Sequence, residues 1–340
     1  MTQGPGSAVP RIGTAALCGI LSLVLVLLML GSLTIGYVPI PLPRLVKAAF
    51  GLADPASGII VQELRMPRML LAVLLGASLG GAGAVLQGLL HNPLAEPTTL
   101  GISGAASLGA VIAIYFGLAG IVPLWLPACA MIGAGLATVI LLYVAKDSGS
   151  TLTLILVGSG ISGISIALTS LAMNLSTNPW AVSEIAMWLL GSVKDRTFAE
   201  VRLAAPFILI GLVILLAAAP SLDLLALGED AARSLGLNTP RLRAMAITGT
   251  SLAVGAGVAV TGSVGFVGLM MPHLIRPLVG QVPSRIVLPS IIGGGALVLA
   301  ADIVVRLIAV GPELQLGVLT SLLGTPFFLY LVLHLRRQLA

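Results

Sequence analysis

Apolar runs recur along the whole 340-residue chain and are separated by short polar stretches. Each run approaches the about 20 residues that a helix needs to cross a hydrocarbon core of roughly 30 Å. The pattern predicts an all-α membrane protein with about ten transmembrane helices. The predicted spans are residues 14–35, 69–90, 99–116, 125–147, 152–173, 201–219, 244–262, 286–308, 314–323 and 327–335.

The polar stretches between these spans are too short to fold alone. None reaches the roughly 50 residues of a small soluble domain, so residues 1–340 are expected to form a single transmembrane domain. The first span has the length of a signal-peptide core, but further spans follow at once and it lacks a clear cleavage pattern. It is therefore interpreted as a span.

Proline and glycine mark the connections. Residues 91–101, HNPLAEPTTLG, contain two X-Pro steps, and the residue before each proline avoids the helical region, so this stretch is predicted to be a rigid turn. Residues 265–276 are predicted to form a short half-helix at the surface. Residues 324–326, Gly-Thr-Pro, are predicted to break the ninth span from the tenth.

The most polar stretch, residues 221–243, keeps a helical pattern of leucine and alanine. It carries six charged residues, namely Asp223, Glu229, Asp230, Arg233, Arg241 and Arg243. The pattern predicts one or two short amphipathic helices between two spans. Two interpretations remain open from the residues alone, a solvated loop and a docking surface for a soluble partner.

Composition narrows the possible functions. Only 9% of the residues are charged and 41 are glycine, and a Gly76/Gly80 pair falls in the second span, which indicates closely packed helices. Few charges fall within the spans, which argues against a stand-alone secondary carrier driven by protons or sodium. Cys18 and Cys129 both lie in apolar runs, so no disulfide framework is indicated.

No catalytic or metal-binding motif is recognisable. None of the three lysines stands in a phosphate-binding loop sequence, and the three histidines lie on separate segments without metal-ligand spacing. Asp302 and Arg306 are four residues apart and are interpreted as a structural ion pair, with a proton relay as the alternative. The chain is therefore expected to be no enzyme and to bind no cofactor, and energy for transport, if the chain transports anything, must come from another chain.

The basic residues give no clear orientation. An even number of spans places both termini on one side, and Arg336 and Arg337 beside the last span favour the cytoplasm. The loops predicted to lie outside hold at least as many basic residues, namely Arg44, Lys47, Arg65, Arg68, Lys194, Arg196, Arg202, Arg276 and Arg285. Either the topology is inverted or the outer face is basic for a purpose.

Motifs along nearly the whole chain resemble those of the FecCD/BtuC-like permeases, the membrane subunits of type II ATP-binding-cassette (ABC) importers for iron–siderophores, haem and cobalamin. The matching stretches are RMPR (65–68), HNPLAEP (91–97), WLLGS (188–192), LGEDAARSLGL (227–237), TGSVGFVGLMMPHLIR (261–276) and ELQLGVLTSLLGTPFF (313–328). One departure is Gln315, where the family usually has proline.

The resemblance implies the type II ABC importer permease fold, a dimer with an identical or closely related permease subunit, and a pathway on the dimer axis. It also implies two ATPase subunits, which bind ATP and Mg²⁺, and a periplasmic or lipid-anchored substrate-binding protein. No nucleic-acid partner is implied. The expected location is the bacterial inner (plasma) membrane, with multiple spans and both termini in the cytoplasm.

By the same resemblance, residues 221–243 are the coupling helices that contact the ATPases. The residues expected to make this contact are Leu227, Gly228, Glu229, Asp230, Ala232, Arg233, Leu235 and Gly236. Those expected to dock the binding protein are Arg65, Arg68, Lys194, Arg196, Arg276 and Arg285. Those expected to line or gate the pathway are Ser159, Ser162, Ser165, Ser170, Asn174, Trp188, Phe266 and Met270.

The function implied is import of an iron–siderophore complex by alternating access. Haem and cobalamin are alternatives for the substrate. Haem and carboxylate-rich chelates would favour basic residues along the pathway, and none lies in the middle of a predicted span.

Overall fold

Helices build the whole described part of the protein. The computed structural model describes residues 12–36, 38, 40–49, 52, 54–147, 151–308 and 313–339, and every regular element among them is helical. The first seven helices are α1 (Thr14–Thr34), α2 (Leu42–Ala49), α3 (Pro55–Leu89), α4 (Ile102–Tyr115), α5 (Leu118–Ile121), α6 (Trp125–Asp147) and α7 (Thr151–Leu175). The remaining seven are α8 (Pro179–Leu189), α9 (Phe198–Leu225), α10 (Glu229–Ser234), α11 (Thr239–Thr261), α12 (Val267–Val279), α13 (Pro283–Ile308) and α14 (Leu316–Leu339).

Ten of these helices are apolar enough to lie in a membrane. Eight have the length and hydropathy of a full span, namely α1, α3, α6, α7, α9, α11, α13 and α14. The other two, α4 and α12, are shorter apolar helices. The predicted all-α membrane fold is confirmed, although the set of ten differs from the predicted one.

Contacts between helix ends define the two ends of the bundle. The Ile12 amide donates to the Leu278 carbonyl at 3.0 Å, so the start of α1 lies beside the end of α12. The end of α1 lies beside α13, where Arg306 Nη1 donates to the Ser32 carbonyl at 2.9 Å. We call the end that holds Ile12 the near end and the end that holds Arg306 the far end.

Glycine brings α3 and α13 into backbone contact. A Cβ atom built on Gly76 would lie 2.1 Å from the Gly294 carbonyl oxygen, and one built on Gly80 would lie 2.1 Å from the Ser290 carbonyl oxygen. No larger side chain fits at either position without separating the helices. The Gly76/Gly80 pair therefore acts as its spacing predicts, because small residues allow the close helix contact that stabilises bundles in lipid.

The segment predicted as a surface half-helix is an internal helix. Helix α12 runs back to the near end and packs on α3 so closely that a Cβ on Gly83 would lie 1.9 Å from the Gly268 carbonyl oxygen. The next helix, α13, therefore runs from the near end to the far end, opposite to the predicted direction. The sequence prediction was wrong here because α12 is shorter than the window used to recognise a span.

The predicted break between the last two spans is also absent. Helix α14 is continuous through Gly324, and Pro326 lies inside it. A proline is tolerated within a membrane helix where neighbours or local adjustments satisfy the freed carbonyl. Helix α14 replaces the two predicted last spans, and α12 adds a helix that was not among the predicted spans. The number of crossings therefore stays even, and both ends of the described chain lie at the near end.

Candidate functional site

A short polar segment, residues 226–238, closes the near end. Gly228, with φ of 99°, precedes helix α10, and Gly236, with φ of 88°, follows it. Both values lie in the left-handed region that glycine adopts without strain. The two glycines thus reverse the chain on either side of a helix of only 6 residues.

A carboxylate anchors this segment to the bundle. Glu229 Oε1 accepts from Arg233 Nη2 at 2.6 Å, as the spacing of four residues predicts, and from Arg243 Nη2 at 2.9 Å. Arg243 is buried in α11, so the contact ties α10 to a membrane helix. Ala232, within α10, is fully buried against the bundle. The segment therefore presents one fixed face to solvent.

That face is apolar at its two ends. The Leu227 side chain is 63% exposed and the Leu235 side chain is 61% exposed, although both flank charged residues. Exposed leucines in a polar segment outside the spans favour a contact surface over a solvated loop. Asp230, Arg233 and Gly236 lie beside them and are also exposed.

The stretch predicted to be the coupling element is longer than the polar segment that lies outside the long helices in the structure. Residues 221–225 form the last turns of α9, and Arg241 and Arg243 belong to α11. Asp223 is fastened to the start of α13, because its carboxylate accepts from the Ser284 amide at 2.8 Å and from the Ser284 hydroxyl at 2.6 Å. The free segment is therefore residues 226–238.

The predicted rigid turn lies next to this segment. His91 Nε2 is 3.3 Å from the Leu225 carbonyl, and His273 Nε2 in α12 is 2.7 Å from the Pro93 carbonyl. Pro97 begins a 3₁₀ turn that ends at Gly101, with φ of 75°. The turn thus joins α3 to α4 and contacts α9 and α12 at the near end. Within the described residues no group of side chains is arranged to hold a metal ion.

A buried ion network occupies the far end. Arg68 Nη2 lies 2.9 Å from Asp302 Oδ1, and Arg68 Nη1 lies 3.1 Å from Glu313 Oε1. The side chains of Arg68, Asp302 and Glu313 are only 13%, 1% and 3% exposed. The network extends through Arg306, which lies 3.0 Å from Asp302, and Lys194, which lies 3.7 Å from Glu313. The predicted Asp302/Arg306 pair is therefore present within a larger cluster.

Arg65 also has a structural task. Its guanidinium donates to the carbonyls of Leu33 at 2.7 Å, of Thr34 at 3.1 Å and of Val38. The last four carbonyls of a helix have no partner within the helix. Arg65 therefore caps the end of α1 and holds it against α3, and its side chain is not free to meet a partner as predicted.

A small cavity of about 240 Å³ opens beside this network. Arg65, Arg68, Lys194, Arg196 and Arg306 contribute to its wall, as do Asp195 and Glu313. Arg196 Nε is buried and has no hydrogen-bond partner among the described residues. Burial, the largest influence, lowers the pKa of the Arg196 guanidinium, and Glu200 and Asp195 act against it. Cations exceed anions in the wall, so the cavity favours an anionic group.

Two predicted docking residues lie at the wrong end. Arg276 donates to Gln87 Oε1 at 2.9 Å near the end of α3, and Arg285 follows Ser284, which binds Asp223. Both belong to the near end, because α12 returns there. Arg306, near the other end of α13, lies at the far end. The predicted excess of outer basic residues rested on the wrong direction of α13 and no longer supports a basic outer rim.

Hydroxyl groups line a cavity of about 520 Å³ between α4, α7 and α8. Ser162, Ser165 and Ser170, three of the predicted pathway residues, lie in its wall. The other hydroxyl-bearing wall residues are Thr98, Ser103, Ser107, Thr169 and Ser263. These hydroxyls carry no charge, and each can both donate and accept a hydrogen bond.

A second cavity, of about 710 Å³, adjoins the first and shares Thr98, Leu189 and Ser263 with it. Its wall includes Phe266, another predicted pathway residue, and Glu96. The Glu96 carboxylate accepts from the Thr98 hydroxyl at 2.5 Å and from the Phe266 amide. Burial raises the pKa of Glu96, and these two hydrogen bonds lower it.

Phe266 joins the second cavity to α14. Its φ is 67°, which is unusual for a residue with a side chain, and its ring lies against Gly324. A Cβ on Gly324 would lie 2.3 Å from the Phe266 Cβ atom. The Glu96 contact therefore fixes a strained residue at the start of α12.

Four predicted pathway residues do not line either cavity. Ser159 and Asn174 are exposed on α7, Met270 is half-buried in α12, and Trp188 is buried with no partner for its Nε1. The sequence prediction missed Glu96, Thr98, Ser103, Ser107 and Ser263. The spacing of Ser103 and Ser107, four residues apart on one helix face, was the available signal.

Comparison with known proteins shows which family the chain resembles. Residues 23–334 match the FecCD transport family. The chain is 37% identical over 92% of its length to the Fe(3+)-citrate import system permease protein YfmE of Bacillus subtilis, covering 93% of that protein. It is 38% identical over 82% of its length to the vitamin B12 import system permease protein BtuC of Klebsiella pneumoniae, covering 83% of that protein.

A solved structure shows the same fold. An inward-facing conformation of a putative metal-chelate type ABC transporter superposes with a TM-score of 0.85 at 31% sequence identity, over 94% of this chain and 99% of the other. The fold is thus that of an ABC transporter permease. The chain belongs to the FecCD transport family.

Proposed function

We propose that the protein is the permease subunit of an ABC importer and carries an iron–siderophore complex by alternating access. The observation that carries the proposal is segment 226–238, a rigid polar segment with two exposed leucines at one end of an apolar bundle. Such a surface suits an ATPase subunit that binds from the aqueous side. Family membership and the likeness to a metal-chelate type transporter support it.

The proposed assembly contains two permease copies, or this chain and a close paralogue, with two ATPases and one binding protein. The near end would face the cytoplasm and the far end the binding protein. The basic residues do not decide this orientation, because both ends of the described chain carry several of them, so it rests on the proposed ATPase contact of segment 226–238. Arg65, Arg68 and Arg306 at the far end are already engaged by backbone carbonyls or carboxylates.

The basic far-end cavity is proposed to receive an acidic side chain of the binding protein. Arg196 has an unpaired Nε there, and Lys194, although near Glu313, is 44% exposed. Complementary charges across an interface steer encounter and fix orientation. Lys194 and Arg196 are therefore the predicted docking residues that remain free to act, and Arg65 and Arg68 position the wall.

Changing Lys194→Gln and Arg196→Gln together is expected to weaken docking roughly tenfold, since the change acts in both permease copies and exposed charge pairs each contribute about 0.2–1 kcal/mol. The wild-type interaction should also weaken as salt rises. Binding-protein affinity in nanodiscs measures both effects. Arg202→Gln, an exposed change at the same end, is the matched control. Unchanged affinity of the double variant at low salt would place docking elsewhere.

The substrate alternatives are cobalamin and haem. A permease for vitamin B12 is among the relatives, and the family match does not distinguish the three substrates. The proposed function is tested by co-expressing the chain with the ATPase and binding protein encoded beside it and by measuring uptake in proteoliposomes. ATP-dependent accumulation of a chelate or cobalamin supports an importer permease. Accumulation that needs no ATPase subunit contradicts it and identifies a secondary carrier.

A further inference from the structure

The side chains that line the two adjoining cavities indicate the charge of the transported substrate, here called the cargo. The cavity volumes, about 520 and 710 Å³, fall in the range of pockets that hold small-molecule ligands. Most of the residues that line the first bear a hydroxyl, although most of the wall surface is apolar, and the second adds Ser321, Thr325 and Glu96. Among the described residues that line them, no lysine, arginine or histidine is present.

Several of these hydroxyls are available for a ligand. Ser103, Ser107, Thr169, Ser170 and Ser263 line the first cavity. None of the five donates a hydrogen bond from its side chain within the described part of the chain. A hydroxyl can serve an amide N–H or a carbonyl oxygen equally well, because it is both donor and acceptor. Such a wall matches a neutral polar cargo without fixing its orientation.

The only charged side chain in these walls, within the described residues, is an acid. Glu96 accepts hydrogen bonds from the Thr98 hydroxyl and from the Phe266 amide, which favour its ionised form, whereas burial, the larger influence, raises its pKa. Glu96 supplies no positive charge to an anion in either protonation state, and in its ionised form it attracts a cation. A polyanionic chelate would lose water here without meeting a counter-charge, which is costly.

We propose that the cargo is an uncharged or cationic chelate whose polar groups are amides or hydroxamates, and that polycarboxylate and polycatecholate chelates are excluded. The proposal rests on the proposed importer function and narrows its substrate class. It separates this chain from the relative named for Fe(3+)-citrate import, although the two are 37% identical. The basic groups of the far-end cavity do not alter the inference, because none of them lines either of these two cavities.

The test is uptake by the complete transporter in proteoliposomes with a panel of cargoes that differ in charge. The neutral members are ferrichrome, a trishydroxamate, and cyanocobalamin, and the cationic member is ferrioxamine B. The anionic members are ferric citrate and ferric enterobactin. ATP-dependent uptake of at least one neutral or cationic member is expected to exceed that of either anion by about tenfold or more.

The outcomes separate the inference from the function. ATP-dependent uptake of ferric citrate or ferric enterobactin at a rate comparable to the neutral members would overturn the inference and keep the importer function. No ATP-dependent uptake of any member or of haem, together with ATP hydrolysis that the binding protein does not stimulate, would overturn the importer function itself.

Two permease variants test the wall independently of the binding protein's own preference. Ser170→Lys places a cation in the hydroxyl wall and is expected to slow ferrioxamine B more than ferrichrome, and Ser170→Gln is the uncharged control. Glu96→Gln removes the carboxylate charge and is also expected to slow ferrioxamine B more than ferrichrome. Equal slowing of both chelates by Glu96→Gln would show that Glu96 only holds Phe266. That result would contradict a role of Glu96 in selecting the cargo by its charge.

Discussion

Replacing Leu235 with aspartate is expected to abolish ATP-dependent uptake while the protein still folds. Leu235 lies at the end of α10 with 61% of its surface exposed, so the folded bundle loses little when its side chain changes. In the proposed complex the same side chain is buried against an ATPase subunit. A charge placed in that contact would be desolvated without a partner, which is among the costliest single changes at an interface.

The measurement is uptake together with ATP hydrolysis by the reconstituted complex. Leu235→Met, which keeps an apolar side chain of similar volume, is the matched control and should retain transport. The melting temperature of the purified Leu235→Asp variant should equal that of the wild type. Normal uptake by Leu235→Asp would show that segment 226–238 is a solvated loop, the alternative that the sequence left open.

Replacing Arg68 with methionine is expected to cost about 3–5 kcal/mol of stability, since removal of one partner from a buried ion pair leaves the other charge uncompensated. Asp302 retains Arg306 at 3.0 Å, but Glu313 retains only Lys194 at 3.7 Å. Of the two carboxylates, Glu313 therefore loses more of its compensating positive charge. Thermal unfolding in detergent measures the effect.

A second substitution distinguishes lost charge from lost packing. Adding Glu313→Gln to Arg68→Met removes the uncompensated carboxylate and should recover part of the lost stability. Arg202→Met, an exposed change at the same end of the bundle, should have almost no effect. A melting temperature unchanged by Arg68→Met would show that the network contributes nothing to folding.

This network also changes the use of Arg65 and Arg68 as probes of docking. The resemblance places both among the residues that dock the binding protein. Both guanidiniums are instead engaged within the protein. A double charge reversal would therefore unfold the far end before it reported on a partner, and Lys194 with Arg196 is the more informative pair.

The sequence predicted the helical fold and most of the spans. Long apolar runs with clear polar boundaries, such as α6 and α7, agree with prediction within a few residues. The near-end turn was also predictable, because proline restricts the residue before it at Asn92 and Glu96. The Glu229/Arg233 pair followed from its spacing of four residues.

Other features depend on contacts that no local pattern contains. Helix α12 crosses part of the bundle only because Gly83 and Gly268 allow its backbone to touch α3. Its direction decides the side on which Arg276 and Arg285 lie, so one misplaced helix moved two predicted site residues. Arg68 meets Glu313 across 245 positions in sequence, and such a pair is visible only once the fold is known.

Cross-linking tests the central claim most directly, namely that segment 226–238 contacts an ATPase subunit. Leu235→Cys is introduced into a chain in which Cys18 and Cys129 have been replaced by alanine, and the assembled transporter is treated with a short thiol–amine cross-linker. The expected result is a covalent product that joins the permease to the ATPase, with no such product from Arg202→Cys at the far end. Cross-links to the ATPase from Arg202→Cys but not from Leu235→Cys would contradict both the coupling surface and the proposed orientation.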